Sequence, residues 1–136
     1  MAVELEWRDD GTTDTVSSPV ELDEALDRLE AAARANQPIV VTLYHGDGRS
    51  LSVGLGREGI ALSLTGPDGL APFHVSDSGS GEEGDAVSYV SGGVWTEFPR
   101  WSLVPPSAAR AAIRHFFETG RPSQEVRWRS NPASRV

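Results

Sequence analysis

Three strand-like segments separated by glycine turns occupy the middle of the chain and limit its fold most strongly. Residues 38–44 are β-branched and almost continuously apolar, which predicts a central strand. Residues 51–55 and 60–64 have a similar strand character, and short turns containing Gly48 and Gly59 precede them. Because turns this short join antiparallel neighbours, the three segments predict an antiparallel meander.

Two helices flank this meander, and each has recognisable end signals. The first begins at a capping box, in which the hydroxyl of Ser18 and the carboxylate of Glu21 can each accept a backbone N–H. The second begins after Pro105 and ends at Gly120, which fits a left-handed stop. Each helix has an apolar face at helical spacing: Leu22, Ala25, Leu26, Leu29 and Ala33 in the first, and Ala109, Ala112, Ile113, Phe116 and Phe117 in the second.

Shorter strand patterns complete the predicted fold. They cover residues 3–7, 12–16, 73–75, 86–90, 94–98 and 126–128. A chain of 136 residues is long enough for one hydrophobic core. We therefore expect a single α+β domain over residues 1–130, with a flexible tail over residues 131–136. Its mostly antiparallel sheet should have about five to seven strands packed against the two helices.

Composition restricts the classes of function. The chain has no cysteine, so disulfides and thiolate sites are excluded. It has no apolar stretch of the ~18 residues that a membrane helix needs, and no secretory signal pattern, so we expect a soluble cytoplasmic protein with no membrane partner. The net charge is −8, and residues 1–100 hold 18 acidic and 6 basic side chains. Such an acidic surface repels phosphates, so we expect no direct nucleic-acid binding and favour a basic protein partner.

Residues with catalytic potential are few. His45, His74 and His115 are the side chains that ordinarily titrate near neutral pH, and none has a second ligand at a metal-type spacing. The glycines of residues 54–59 match a dinucleotide-binding loop, but a strand pattern follows them where that loop requires a helix. We therefore expect no catalytic residue, no cofactor and no metal, and a binding protein, not an enzyme. The alternative is a small hydrolase or ligand-binding domain that uses His45 or His74.

An acidic segment over residues 77–85 is the predicted partner-binding site. It holds the four carboxylates of Asp77, Glu82, Glu83 and Asp85, and no apolar residue. A calcium loop of the EF-hand type needs oxygen ligands at its third and fifth positions, where this segment has glycines. A solvated acidic loop can dock on a basic protein, and the alternative is a loop without a binding role.

A longer pattern runs through the C-terminal third of the chain. Its parts are Ser91-Gly92-Gly93-Val94-Trp95-Thr96-Glu97-Phe98-Pro99, Phe116-Phe117-Glu118-Thr119-Gly120-Arg121-Pro122 and Val126-Arg127-Trp128. This arrangement resembles the first family of immunity proteins from bacterial polymorphic toxin systems. The resemblance is good over residues 91–128 and loose over most of the remaining chain.

The resemblance implies an α+β fold and a role in neutralising a toxin made by the same cell. The implied partner is therefore a cognate toxin domain. Toxins linked to this family are often of the deaminase superfamily, so the resemblance also implies a deaminase as the toxin. Inhibition of this kind is stoichiometric and needs no cofactor. We expect Trp95, Phe116 and Trp128 to fill the core, because aromatic residues of a small domain are usually buried.

Overall fold

A computed structural model describes residues 2–8, 10–70, 72–79 and 86–130 of the chain. The two α-helices are α1 (Pro19–Ala35) and α2 (Pro106–Thr119), and Pro67–Gly69 and Arg100–Ser102 form short 3-10 helices. The strands of the described residues are β1 (Val3–Glu6), β2 (Thr13–Val16), β3 (Ile39–Tyr44), β4 (Ser50–Leu55), β5 (Ile60–Thr65), β6 (Phe73–Asp77), β7 (Val87–Ser91), β8 (Val94–Phe98), β9 (Leu103–Val104) and β10 (Arg127–Ser130). The predicted tail, residues 131–136, lies outside the described residues.

The strands form one sheet whose main path has the order β10-β6-β5-β4-β3-β1-β2. Among the described residues its pairings are antiparallel except for one parallel bridge, between Ile39 of β3 and Val90 of β7. The predicted α+β class, the two helices and the β3-β4-β5 meander are confirmed. Among the described residues the sheet has ten strands, more than the five to seven expected, because all nine strand patterns of the sequence join one sheet and the two-residue β9, which has no pattern, adds to them.

Both helices pack on one face of the sheet and bury the main hydrophobic core there. The hydroxyl of Ser18 accepts the N–H of Glu21 at 3.2 Å, and Gly120 ends α2 with φ of 71°, as predicted. The core comprises Leu22, Ala25, Leu26, Leu29 and Ala33 of α1, the apolar face of α2, and the strand residues Leu5, Val41, Leu43, Leu51, Val53, Leu55, Ile60, Leu62 and Leu64.

The β7–β8 hairpin covers part of the opposite face of the sheet. Val40, Gly54 and Ala61 are direct neighbours across β3, β4 and β5, and the missing side chain of Gly54 leaves a shallow apolar recess between the other two. Tyr89 and Phe98 fill it together with Val87, with the two aromatic rings edge to face at 5.6 Å between centroids. The base of the hairpin is therefore anchored in a second, smaller core.

Candidate partner-binding surface

Beyond the hairpin, the sheet face that is turned away from the helices carries hydroxyl and carboxylate side chains. We call it the outer face: Glu4 and Glu6 of β1, Thr13 and Thr15 of β2, Thr42 and Tyr44 of β3, Ser50 and Ser52 of β4, and Ser63 and Thr65 of β5. These residues alternate with the buried core residues along each strand, as the pleat requires. Antiparallel sheets can leave one face open to water, and this part of the sheet does so.

Side chains of the outer face hold one another in place. Glu4 accepts hydrogen bonds from the hydroxyls of Thr13 at 2.8 Å and Thr15 at 3.2 Å. The hydroxyl of Tyr44 donates to Glu6 at 2.8 Å. Burial and this hydrogen bond raise the pKa of Tyr44 to about 12, so the phenol stays protonated and keeps donating. The outer face is thus a largely preorganised polar surface.

The tip of the β7–β8 hairpin, residues 91–95, projects two large apolar side chains into solvent. Val94 is 66% exposed and Trp95 is 63% exposed. A two-residue turn with φ of 56° at Gly92 and 83° at Gly93 closes the hairpin, which is the left-handed geometry that tight hairpins favour. The tip is therefore an exposed apolar end on an anchored base.

The expectation that Trp95 fills the core is wrong. Trp95 pairs with Val90, one position away from the Thr96–Tyr89 pair, so it points to the side of the hairpin opposite Tyr89. Phe116 is buried as expected, and Trp128 is half-buried with its indole N–H donated to the carbonyl of Ser123 at 2.8 Å. The sequence shows that residue 95 is aromatic, but it does not show which side of the hairpin is buried. The side that carries Tyr89 and Phe98 is buried, so Trp95 is exposed.

A cavity of about 400 Å³ connects the hairpin to the β1–β2 turn. Its lining includes Gly93 and Val90 from the hairpin and Trp7 and Arg8 from the end of β1. The Arg8 guanidinium stacks over the indole ring of Trp7 at 4.4 Å and forms an ion pair with Asp14 at 3.2 Å. Aromatic and arginine side chains thus line the space between the hairpin and the end of β1.

Only one of the four predicted contact carboxylates lies within the described residues. Asp77 is the last residue of β6, where it accepts the backbone N–H of Gly79 at 2.9 Å and the Arg129 guanidinium at 3.0 Å. These bonds, the one from Gly79 foremost, lower the pKa of the Asp77 carboxyl. Asp77 is thus tied into the fold, whereas Glu82, Glu83 and Asp85 lie outside the described residues.

The three histidines are dispersed over the described structure. His45 follows β3 and lies edge-on against Phe116 at 5.8 Å between ring centroids, and its Nε2 is buried without a hydrogen-bond partner. His74 lies in β6 with its Nδ1 likewise unpartnered, and His115 is exposed on α2. Nucleophilic catalysis needs a base within hydrogen-bonding reach of a nucleophile, and no side-chain pair of this kind involving a histidine is present in the described part of the chain.

The described residues also lack the arrangements that a metal site or a dinucleotide site requires. Within residues 2–8, 10–70, 72–79 and 86–130, no group of three or more His, Cys, Asp or Glu side chains could hold a metal ion. The glycines of residues 54–59 join β4 to β5 directly, so no helix follows them to bind a pyrophosphate. Among the described helices, none is long and apolar enough to cross a membrane.

Comparison with protein-family models matches residues 10–130 to the model described as Immunity protein Imm1. The matched residues include the hairpin tip, both helices and all of the outer face except β1. This match confirms the resemblance found in the C-terminal third and extends it over most of the chain. A search of curated proteins found no significant match.

Proposed function

Because this chain belongs to the Imm1 family of immunity proteins, we propose that it neutralises its cognate toxin by covering or blocking the toxin's active site. The contact is stoichiometric and non-enzymatic. It takes place in the cytoplasm, where an immunity protein meets a toxin made by the same cell. The observation that carries the surface assignment is the exposure of Trp95 at the end of an anchored hairpin.

The hairpin tip has the properties of an interface hot spot. Tryptophan is among the residues that contribute most to binding when a partner buries them. Tyr89 and Phe98 fix the base of the hairpin in the second core, so little conformational freedom is lost when Trp95 docks. Val94 adds exposed apolar area on the opposite side of the same strand, and the cavity lined by Trp7 and Gly93 offers a recess for a partner side chain.

Charge supports a basic partner. The chain has a net charge of −8, and Glu4 of the outer face and Glu97 beside the hairpin tip are exposed carboxylates. We propose that Asp77, Glu82, Glu83 and Asp85 add to this field, with Asp77 contributing less because Arg129 already pairs with it. Opposite charges on the two proteins would speed their encounter and weaken it at high salt.

The proposed toxin is a nucleic-acid deaminase. An enzyme of that class must attract phosphates and draw a base into its active site, so its cleft is positively charged. An acidic immunity protein with a projecting aromatic residue is complementary to such a cleft. This assignment also follows from the family resemblance, in which deaminase-type toxins recur.

The first test is co-expression of this chain with the C-terminal toxin domain encoded by its neighbouring gene. We expect survival of the cells, a 1:1 complex on co-purification, and loss of base deamination when the two purified proteins are mixed in equal amounts. A toxin that still kills the cells in the presence of this chain would contradict the proposed pairing.

The second test locates the surface. We expect Trp95→Ala to weaken toxin binding by about 2 kcal/mol, roughly 30-fold, because it removes a hot-spot side chain. Leu70→Ala is the matched control, since Leu70 is 66% exposed but lies away from the hairpin, in the segment after β5. Equal affinities for the two variants would show that the hairpin tip is not the contact.

The third test concerns the acidic segment. Glu82→Arg with Glu83→Arg should slow toxin association and make it less dependent on salt. Glu118→Arg with Glu125→Arg changes the net charge equally at two exposed positions of the described chain and serves as the control. If both double variants associate at the same rate, the effect is one of overall charge and the segment is not the contact.

A further inference from the structure

A cavity of about 850 Å³, separate from the outer face, is lined by three arginines. Arg34 comes from the last turn of α1, Arg57 from the β4–β5 turn and Arg100 from the 3-10 helix before β9. Among the described lining residues Glu58 is the one carboxylate. In a chain with 20 acidic and 12 basic residues, this is a local reversal of charge.

Two of these guanidinium groups are held in position. Arg34 donates through Nη2 to the carboxylate of Glu30 at 3.4 Å and to the carbonyl of Arg57 at 3.2 Å. Arg57 donates through its own Nη2 to the carbonyl of Ser88 at 2.6 Å and lies 5.5 Å from the ring of Tyr89. Because these side chains are already held in place, they lose less conformational entropy when a ligand binds.

Donor capacity remains after these bonds are counted. Nε of Arg57 is buried without a hydrogen-bond partner, and within the described part of the chain the guanidinium of Arg100 has no hydrogen-bond acceptor. Guanidinium groups present several N–H donors in a planar fork, which matches the two oxygens of a carboxylate or phosphate. Several such forks around one cavity select for a ligand with more than one acceptor oxygen.

The beginning of α2 adds positive potential at the same place. Pro105, the residue before the helix, lines the cavity, and no side chain caps the helix there. Pro105 and Pro106 have no N–H, so the first free N–H groups of α2 are those of Ser107 and Ala108, and the aligned peptide dipoles place partial positive charge at this end. The arginines and the helix terminus therefore both make the electrostatic potential in the cavity more positive.

We infer that this cavity binds an oxyanion group, a carboxylate or phosphate, through Arg100, Arg57 and Arg34. The anion is either a free phosphate-type ion or an acidic side chain of a protein partner. Both sources present at least two acceptor oxygens to the guanidinium groups, as a planar pair in a carboxylate and as part of a tetrahedron in a phosphate. The site is independent of the hairpin tip, so it does not rest on the proposed contact there.

The test uses the full chain with inorganic phosphate and pyrophosphate in isothermal titration calorimetry. We expect binding that Arg100→Gln weakens about tenfold, the effect of removing one charge-assisted pair. Arg28→Gln is the matched control, because Arg28 is exposed on α1, loses the same charge and does not line the cavity. Thermal unfolding of each variant establishes that it remains folded.

A second arm separates the two sources of the anion. If Arg100→Gln weakens binding of the cognate toxin and phosphate competes with that toxin, the oxyanion is a partner carboxylate. If the phosphate ions bind but toxin affinity is unchanged, or if the toxin does not bind at all, the ligand is a free anion. Absence of phosphate binding together with unchanged toxin affinity, or equal effects of Arg100→Gln and Arg28→Gln, would overturn the inference.

Discussion

The ring of Tyr89 lies so close to the backbone of Gly54 that a methyl group at position 54 would stand 2.8 Å from Cε1 and Cζ of the ring. Gly54 is flanked in the sheet by Val40 and Ala61, so the hairpin rests on three neighbouring residues of β3, β4 and β5, and the central one has no side chain. The position of the hairpin, and with it the direction in which Trp95 projects, depends on this contact.

Gly54→Ala should therefore destabilise the fold by about 1–3 kcal/mol, because the buried ring of Tyr89 leaves no room for the added methyl group. Chemical denaturation of the purified variant measures the change. Gly46→Ala is the matched control, since nothing lies within 4 Å of a methyl group there. Equal stability of the two variants would mean that the hairpin shifts without cost.

Tyr89→Phe should leave the free energy of unfolding unchanged or raise it by up to about 1 kcal/mol. The Tyr89 hydroxyl is buried without a hydrogen-bond partner, and burial raises its pKa, so removing it ends a desolvation cost. Ser76→Ala provides the contrast, because the Ser76 hydroxyl donates to the Ser102 carbonyl at 2.6 Å and accepts the Leu62 N–H at 2.9 Å. That variant should lose about 1–3 kcal/mol.

The decisive comparison is between the free energies of unfolding of Tyr89→Phe and Ser76→Ala. A clear loss of stability in Tyr89→Phe, as large as that in Ser76→Ala, would mean that the phenol has a partner in solution. Both unfolding curves should be measured at a pH well below the ordinary pKa of tyrosine, where the phenol is protonated in both states.

Helices and central strands could be predicted from the sequence because their determinants are local. The capping box at Ser18 and the left-handed Gly120 act within a few residues of themselves. The facing of Trp95 is not local, since it depends on Tyr89 having a glycine, residue 54, to pack on. The outer face was likewise not predicted. Its signal was present, because Thr42, Ser52 and their neighbours alternate with core residues in the predicted meander, and aligning the strands in register would have placed them on one face.

Arg110 is expected to stabilise the contact between the helices through shared ion pairs. From α2 it reaches three carboxylates of α1, with distances of 4.0 Å to Asp23, 2.9 Å to Asp27 and 3.2 Å to Glu30. Arg110→Met should cost about 1–2 kcal/mol, because it leaves Asp23 and Asp27 without their counter-ion and Glu30 with Arg34 alone. Added salt should restore part of the loss by screening the repulsion among these carboxylates.

Arg114→Met is the control for this effect. Arg114 lies on the same helix and pairs with Glu118 at 3.8 Å, but both side chains are more than half exposed. An isolated surface pair of this kind contributes little, so the free energy of unfolding should change by less than about 0.5 kcal/mol. A similar cost for both variants would contradict a special role of the Arg110 cluster.

Alkaline pH should weaken the fold through Tyr44. Its pKa rises from the ordinary 10.0 to about 12, by burial first and by the hydrogen bond to Glu6 second. The contribution is complete below pH 10, since the phenol is then protonated in both states, and it is lost as the pH rises from 10 to about 12. Ultraviolet absorbance of tyrosinate in the Tyr89→Phe background reports Tyr44 alone, because the chain has two tyrosines.

Glu6→Gln should move the midpoint of that titration down without returning it to the ordinary value, since burial is the larger cause of the raised pKa. A midpoint near 10 in the protein with Glu6 intact would show that Tyr44 is more hydrated in solution than its place on the outer face implies.

The two tryptophans of the C-terminal pattern should respond to substitution in opposite ways. Trp95 makes no contact with either core, so Trp95→Ser should change the free energy of unfolding by no more than about 0.5 kcal/mol. Trp128 packs against the main core and donates its indole N–H to Ser123, so Trp128→Ala should cost about 3 kcal/mol. Chemical denaturation of both variants, followed by far-ultraviolet circular dichroism, gives the two values. A residue that contributes nothing to folding yet exposes a large apolar ring is free to serve binding, and that separation allows affinity and stability to be measured independently. A loss of several kcal/mol in Trp95→Ser would instead assign Trp95 a structural role and remove the basis for placing the contact at the hairpin tip.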